Sequence, residues 1–183
     1  MDELIDILDN QGNYTGETSL KSVAHKKGLF HATVHIWLFT SDKKVLLQKR
    51  ALTKKVFPGL WDISVAGHIG AGENIVDAAI REVKEEINYS ISKEDLFKIG
   101  TRKHQVSHPN GIEDNEFHHV FIAELKVPTS TLSIDTEEVA AVDLFPLETL
   151  TNTNNLENVL LPQFHDYYCK VYGKINEHLK TKI

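Results

Sequence analysis

The chain has 183 residues, of which 41% are hydrophobic and 25% are charged, and its formal net charge is −6. This length and composition predict one globular domain with a single core, and the acidic balance lacks the basic surface that nucleic acids or acidic membranes attract. Cys169 is the only cysteine, which excludes an internal disulfide and favours a reducing compartment. No signal peptide or membrane-spanning segment is visible, and we expect a cytoplasmic protein.

The first part of the chain predicts short β-strands joined by turns. Residues 10–13 are typical of a hairpin turn after a strand at residues 5–8. Residues 30–39 are rich in β-branched and aromatic side chains, and a mostly apolar run at residues 44–50 follows a polar turn. These two segments predict an antiparallel pair. Residues 61–66 predict one further short strand that leads into a glycine-rich loop.

The second part predicts three more strands followed by helices. A strand pair is indicated at residues 96–104 and 116–127, and a last strand at residues 139–145. From residue 155 onward, apolar residues recur at helical spacing and predict helices that cover the sheet: Leu156, Val159, Leu160, Phe164, Tyr167, Val171, Ile175 and Leu179. We expect a single domain over residues 1–183, made of an N-terminal extension, a core and a C-terminal helical segment: residues 1–29, about 30–150 and 151–183.

Three carboxylates, Glu82, Glu85 and Glu86, fall within five positions after the glycine-rich loop. Their spacing places them on one side of a helix, next to an apolar stripe of Val76, Ala79, Ile80, Val83 and Ile87 that anchors the helix to a core. Like charges at this spacing cost a few tenths of a kcal/mol each, and a bound cation removes that cost. Hard ions such as Mg²⁺ and Mn²⁺ take oxygen ligands. The alternative interpretation is the solvated face of an amphipathic helix, and in either case we expect the acid face to be exposed.

The residues around this helix follow a recognisable order. The pattern Gly67-x5-Glu73-x7-Arg81-Glu82-Val83-x-Glu85-Glu86-x-Asn88 resembles the Nudix box of the Nudix hydrolase superfamily, G-x5-E-x7-R-E-U-x-E-E-x-G-U. Asn88 stands where the family has glycine, and asparagine is the next best residue for a left-handed helix end. Tyr89 replaces an aliphatic residue. The resemblance implies the α/β (α+β) class, as an α/β/α sandwich with a mixed central sheet and C-terminal helices.

The resemblance also implies roles for the acids. Glu82 and Glu86 match the principal ligands of a divalent cation, Mg²⁺ or Mn²⁺, and Glu85 matches an additional ligand or a base. All three are therefore catalytic candidates. Which acid activates the attacking water stays open, because the family places its general base variably. Late loops sometimes supply an acid in related enzymes, and Glu137 and Glu138 are the candidates here.

Four residues of the box match supporting positions. Arg81 and Glu73 match a pair that braces the loop behind the metal ligands. Gly67 and Gly72 match the loop glycines.

A second resemblance, to type I isopentenyl diphosphate isomerases, extends beyond the box. It rests on the segments Trp37-Leu38-Phe39, Lys54-Lys55-x-Phe57-Pro58-Gly59-Leu60-Trp61, Gly67-His68 and Gly111-Ile112-x-Asp114-Asn115-Glu116. It implies a possible second metal site with both imidazole and carboxylate ligands: His25, His31, His68, Asp114 and Glu116. That donor set suits Mn²⁺, Zn²⁺ or Fe²⁺ better than Mg²⁺ alone.

Ala66 argues against isomerase activity. The isomerases have a catalytic cysteine immediately before the loop glycine, and alanine can neither donate nor accept a proton. We therefore predict a metal-dependent hydrolase that cleaves a diphosphate linkage in a nucleoside diphosphate derivative or a related phosphorylated metabolite. The alternatives are an isomerase of isoprenoid diphosphates and a noncatalytic ligand-binding module. The expected partner is a small-molecule diphosphate, with no nucleic acid or membrane partner, and a homodimer is left open.

Overall fold

The computed structural model describes residues 2–152 and 160–181. The predicted helical positions Leu156 and Val159 lie outside the described residues. The strands and the α-helices of the described part are, in chain order, β1 (Leu4–Leu8), β2 (Tyr14–Leu20), α1 (Lys21–Lys27), β3 (Phe30–Phe39), β4 (Lys44–Arg50), β5 (Trp61–Asp62), β6 (Val65–His68), α2 (Ile75–Ile87), β7 (Phe97–Ser107), β8 (Glu113–Glu124), β9 (Val139–Pro146) and α3 (His165–Thr181).

Strand β3 is the centre of the sheet. It pairs antiparallel with β1, β4 and β6 and parallel with β8, while β7 extends the sheet beyond β8 and β9 extends it beyond β4. The sheet is therefore mixed, as predicted. The β3–β8 register places His31 beside Glu116, and the β3–β6 register places Thr33 beside His68.

Two apolar layers cover opposite faces of the sheet. Val34 and Ile36 of β3 pack in the layer that contains α2, whereas Trp37 and Phe39 pack in the layer that contains α3. This alternation follows from the two-residue period of a strand. The sheet thus lies between helices on both faces, which confirms the predicted α/β/α sandwich.

The predicted hairpin is confirmed, because β1 and β2 pair antiparallel. Asp9 stabilises its turn by accepting hydrogen bonds from the backbone amides of Gln11 and Asn13. The predicted antiparallel relation of β3 and β4 is also confirmed, through the pairing of Phe39 with Val45.

The prediction of one strand over residues 61–66 is wrong. Two strands form there, with β5 paired to β4 and β6 paired to β3. The buried Ser64 lies between them, where its hydroxyl accepts a hydrogen bond from the amide of Leu38 and donates one to the carbonyl of Leu46. The side chain therefore supplies the bonds that a continuous backbone ladder would have made.

Both ends of α2 follow from its sequence. The Asn74 side chain accepts a hydrogen bond from the amide of Val76 and caps the first turn. Asn88 ends the helix with φ 52°, the left-handed conformation predicted for it.

The C-terminal helical prediction is confirmed over α3 but not at Leu160. Leu160 is buried and packs in the α3 layer, yet its backbone is not helical. Pro162 follows two positions later and opens a short 3₁₀ turn, and Leu161 before it is extended. A residue before proline avoids the helical region, so the α-helix begins only at His165.

Candidate active site

The glycine-rich loop touches the acid helix at Gly67. A β-carbon built on Gly67 would lie 1.9 Å from the carboxyl carbon of Glu82, so the carboxylate occupies the space of the missing side chain. Gly72 has φ 73°, a conformation that glycine adopts at no steric cost. The close approach of Glu82 therefore requires glycine at position 67, and the backbone conformation favours glycine at position 72.

Arg81 joins the loop to the helix. Its Nε and Nη2 donate to the two carboxylate oxygens of Glu73, at 2.8 and 2.9 Å. Nη2 also donates to the carbonyl of His68 at 2.9 Å. Nη1 donates to Glu82 Oε1 at 2.7 Å and to Glu85 Oε2 at 2.9 Å. The pairing of Arg81 with Glu73 implied by the resemblance is thus present, and the guanidinium holds the pKa of Glu73 below its ordinary value.

The expectation of an exposed acid face is wrong for two of the three acids. Glu82 is 8% exposed and Glu86 is 5% exposed, while the Glu85 side chain is 58% exposed. The loop at Gly67 covers Glu82, and the chain after β8 passes close to Glu86, since the amide of Asp135 donates to the Glu86 carbonyl. Tertiary contacts of this kind are invisible to helical periodicity.

Burial changes the acidity of both buried carboxyls. It raises the pKa of Glu82 to about 7, against the opposing effect of Arg81. It raises the pKa of Glu86 well above the ordinary value, and the charge of Glu82 adds to the effect. Two buried carboxylates that face each other are costly unless a cation compensates them.

Glu86 provides the test of whether a cation fits. Its Oε2 is buried and has no hydrogen-bond partner within residues 2–152 and 160–181. Carboxylate oxygens are the ligands that Mg²⁺ and Mn²⁺ prefer. The donor set of Glu82 and Glu86, with Glu85 next to them, therefore fits a hard divalent cation.

A second group of potential ligands lies nearby. His25, His31, His68 and Glu116 offer ligand atoms that all lie within 4.8 Å of one another. His25 Nε2 is 3.0 Å from His68 Nε2, and Glu116 Oε1 is 3.5 Å from His31 Nε2. Neighbouring strands create the group: β3 carries His31, β6 carries His68 and β8 carries Glu116.

Asp114, the fifth residue of the expected second site, is not in this group. One of its carboxylate oxygens lies 3.0 Å from His25 Nδ1 and the other 2.7 Å from His108 Nε2. Asp114 therefore contacts His25 on the side of the ring opposite the atom that faces His68.

His68 and Glu116 have charge states that suit metal binding, whereas the pKa of His25, despite its burial, is raised by Asp114 and Glu116. Burial lowers the pKa of His68 well below its ordinary value, which keeps the imidazole neutral. Burial raises the pKa of Glu116, but the hydrogen bond from His118 and the nearby imidazoles more than offset this and hold it well below the ordinary value. Neutral imidazole and ionised carboxylate are the forms that bind metals.

The box acids line a cleft of about 1430 Å³ together with His25, His68 and Glu116 of the second group, while His31 is fully buried behind it. Ala66 lies in the same wall, where no thiol is available. Glu137 and Glu138 also line the cleft, and Glu138 forms an ion pair with Lys54. The cleft is thus lined by the three box acids, by the late-loop acids and by most of the expected second site, whereas His31 and Glu73 lie outside its lining.

One end of the cleft was not predicted. It contains polar side chains beside aromatic rings: His35, Arg102, His104, His118, Phe164 and Tyr167. The available signal was the two-residue alternation of β7 and β8, which places Arg102 with His104 and Glu116 with His118 on common faces.

Comparison with known proteins identifies the family. The NUDIX domain model matches residues 29–165. The chain belongs to the Nudix family. Nudix relatives include Nudix hydrolase 3 of Arabidopsis thaliana, which is 31% identical over 99% of this chain. An uncharacterized Nudix hydrolase of Clostridium acetobutylicum is 32% identical over 89% of this chain and 80% of its own length. This chain spans only 24% of the plant relative.

Isomerases are also similar to this Nudix chain. An isopentenyl-diphosphate Delta-isomerase of Escherichia coli is 38% identical over 75% of this chain and 73% of its own. In fold, a crystal structure from Deinococcus radiodurans aligns with a TM-score of 0.67 at 18% identity, covering 92% of this chain and 98% of that one. Within the described residues, no helix has the length and apolar character of a membrane span.

Proposed function

We propose that this Nudix protein is a metal-dependent hydrolase that cleaves the diphosphate linkage of a nucleoside diphosphate derivative or a related phosphorylated metabolite. The observation that carries the proposal is the burial of both Glu82 and Glu86. The Oε2 atom of Glu86 has no hydrogen-bond partner within the described part of the chain. A protein with no use for a cation gains nothing from this arrangement, which burial alone makes unfavourable.

In this proposal Glu82 and Glu86 hold the cation, with Glu85 as a further oxygen donor. When bound, a divalent cation would neutralise the diphosphate oxygens and lower the pKa of a water molecule. The protein's own residues position the carboxylates. Arg81 fixes the carboxylates of Glu82 and Glu85 while it anchors the loop through Glu73. The candidates for the proton acceptor are the three box acids and the late-loop acids Glu137 and Glu138, and substitution of each tests it.

Lys54 supports binding of the substrate anion. It lines the cleft, pairs with Glu138, and its charge acts on Glu86. A diphosphate that enters the cleft offers this ammonium group another anionic partner. The lysine is therefore placed to bind the phosphates without a role in the chemical step.

The second group is proposed as a further divalent cation site. Three imidazoles and one carboxylate suit Mn²⁺, Zn²⁺ or Fe²⁺, and the buried Nε2 of His31 has no hydrogen-bond partner among the described residues. This site is also the observation that favours the second candidate function, an isomerase of isoprenoid diphosphates, since isomerases are among the relatives. Ala66 opposes that candidate because one of the two required acid–base groups is missing.

Two assays with two variants decide between the candidates. For the hydrolase, we expect release of a phosphate-containing product from at least one member of a panel of diphosphates with Mg²⁺ or Mn²⁺, and loss of that release in Glu86→Gln. We expect no transfer of solvent deuterium into isopentenyl diphosphate. Deuterium transfer that is lost in Glu116→Gln and kept in Glu86→Gln would instead establish the isomerase.

The remaining proposals concern the setting of the protein. A single cysteine and the acidic net charge support a cytoplasmic location, with a small-molecule diphosphate as the partner. We treat residues 1–183 as one Nudix domain, because β1 of the N-terminal extension pairs with β3 of the core. Sedimentation velocity would decide between a monomer and a homodimer.

A further inference from the structure

Arg102 lies at the unpredicted end of the cleft. It is half-buried on β7, and its guanidinium carbon is 5.1 Å from the centre of the Phe164 ring and 4.9 Å from that of Tyr167. Its Nη1 is 3.3 Å from Nδ1 of His118. The two rings of the C-terminal segment thus hold the guanidinium in the cleft wall by cation–π contact.

Arg102 differs from the other two arginines of the chain. Arg50 pairs with Asp62, and Arg81 pairs with Glu73. For Arg102, no carboxylate oxygen within the described ranges 2–152 and 160–181 lies within 4.0 Å. A guanidinium has five N–H donors, and one contact with an imidazole leaves most of them available.

The Glu116 carboxylate, whose charge acts on Arg102, is already hydrogen-bonded elsewhere. Glu116 Oε2 accepts a hydrogen bond from His118 Nε2 at 2.8 Å, so the other nitrogen of this imidazole, Nδ1, faces Arg102 as an acceptor. His118 therefore separates the acid from the guanidinium and fixes the direction of both contacts. The positive charge of Arg102 remains without an anionic partner.

The other imidazoles form a polar and uncharged wall. The His35 ring stacks on His118 with centroids 3.9 Å apart, and the His104 ring lies 5.0 Å from His118. Burial lowers the pKa of His104 to about 4 and lowers that of His35 well below the ordinary value. At neutral pH these rings supply hydrogen-bonding atoms without further charge.

We propose that Arg102, with the imidazole of His104 and the rings of Phe164 and Tyr167, forms a subsite for an anionic group on the organic part of the substrate. The subsite rests on the proposed function for the position of the cleaved diphosphate, which lies at the box acids in the same cleft. The ligand is a phosphate or a carboxylate, the two anions that a guanidinium binds with paired hydrogen bonds. The organic part of the substrate therefore carries a charge of its own, separate from the diphosphate.

Matched pairs of compounds test the subsite by binding. NADPH and NADH, or coenzyme A and dephospho-coenzyme A, differ by one phosphate, and UDP-glucuronate and UDP-glucose differ by one carboxylate. Calorimetric titration with the Glu86→Gln variant, which serves as a non-hydrolysing background, gives an affinity ratio for each pair. We expect the anionic member of at least one pair to bind about tenfold more tightly. The pair that responds distinguishes phosphate from carboxylate.

Substitution of Arg102 should remove this discrimination. In Arg102→Met the ratio should fall to about one, and Arg102→Lys should retain part of it. Lys103→Met is the matched control, because Lys103 is the next residue of β7 and its ammonium group lies over Phe30, away from the Arg102 cluster. The control should keep the full ratio. Melting temperatures of all variants show that they are folded.

The results also separate this inference from the hydrolase proposal. Ratios near one for every pair with Arg102 present, or a ratio that survives in Arg102→Met, would overturn the subsite even if a diphosphate is hydrolysed. A ratio that depends on Arg102 in a protein that hydrolyses none of the panel would keep the subsite and reject the hydrolase.

Discussion

The buried carboxyls in the two parts of the cleft have pKa values shifted in opposite directions. At the box, Glu82 and Glu86 face each other with one arginine between the loop and the helix, and burial raises the pKa of both. At the imidazole group, Glu116 is also in the cleft wall, yet its neighbours hold its pKa well below the ordinary value. The protein itself compensates Glu116, whereas the box acids lack such compensation, and we propose that a cation supplies it. A buried acid with an unmet requirement is thus a stronger indication of metal binding than acid content alone.

The largest expected effect is on turnover at the box. Glu86→Gln should lower kcat by about 100-fold or more, because it removes a ligand charge at the reacting centre. The melting temperature without metal should stay the same or rise, since the amide removes an uncompensated buried charge. Turnover assays at saturating Mg²⁺ or Mn²⁺ and metal-free melting curves measure the two effects. Unchanged turnover would show that Glu86 has no part in the mechanism. A large loss of stability without metal would show that the Glu86 carboxylate, like that of Glu116, is compensated by the protein itself.

The next effect is expected at Arg81, which bonds Glu82 and Glu85 on the helix and Glu73 in the loop. Arg81→Ala should reduce activity and also lower the free energy of unfolding by about 1–3 kcal/mol, because several partly buried hydrogen bonds to charged groups are lost. Urea unfolding measures the stability and the diphosphate assay measures the activity. Arg81→Lys is the matched variant, and it should restore only part of either, since an ammonium cannot reproduce the forked contacts. A stable, inactive Arg81→Ala protein would show that the arginine acts on the chemistry alone.

A similar loss of stability is expected when a substitution at Gly67 crowds the Glu82 carboxylate. Gly67→Ala would place a methyl group on the Glu82 carboxylate, and overpacking of this kind costs about 1–3 kcal/mol. Gly173→Ala in α3 is the control, because no described residue outside its own turn of the helix lies within 4 Å of a β-carbon there, and helix propensity should make the protein slightly more stable. Chemical denaturation of both variants gives the comparison. Equal stabilities would mean that the approach of Glu82 to Gly67 is dispensable.

The smallest expected effect distinguishes the two groups by metal. Mg²⁺ should raise the melting temperature through the box, by about 2–4 °C for each kcal/mol of binding free energy. Glu86→Gln should abolish this shift, while His31→Asn should leave it intact. Zn²⁺ should show the reverse dependence on the two variants, and a chelator should remove both shifts. Identical responses of the two variants to both ions would mean that the cleft does not hold two separate cation sites.

Much of this architecture could be predicted from local patterns. The alternation of residues 30–39 and the spacing from Gly67 to Asn88 are properties of short segments, and both led to correct elements and to the family. The split between β5 and β6 was missed because it depends on Ser64 reaching the backbone of two other strands. The burial of Glu82 and Glu86 was missed because it also depends on contacts with other segments, the Gly67 loop and the chain at Asp135.

The remaining site residues show the same limit. His31 and Glu116 were connected only through the resemblance to the isomerases, and the register of β3 and β8 explains their contact. The pocket around Arg102 was not predicted, because no local spacing relates a residue of β7 to the rings of Phe164 and Tyr167. Contacts between distant segments are decided by the fold rather than by the period of a strand or helix.

The parallel pairing of β3 with β8 has a consequence for how the protein acquires its site. His31 is synthesised early, and its neighbour Glu116 follows only after β4, β5, β6, α2 and β7. Such a pairing must close a long stretch of chain before any contact rewards it, which places it among the slower events of folding. During synthesis the cleft is therefore incomplete until most of the domain has left the ribosome. In a refolding experiment, recovery of metal affinity should coincide with closure of the whole sheet, so the site itself reports when the domain is finished.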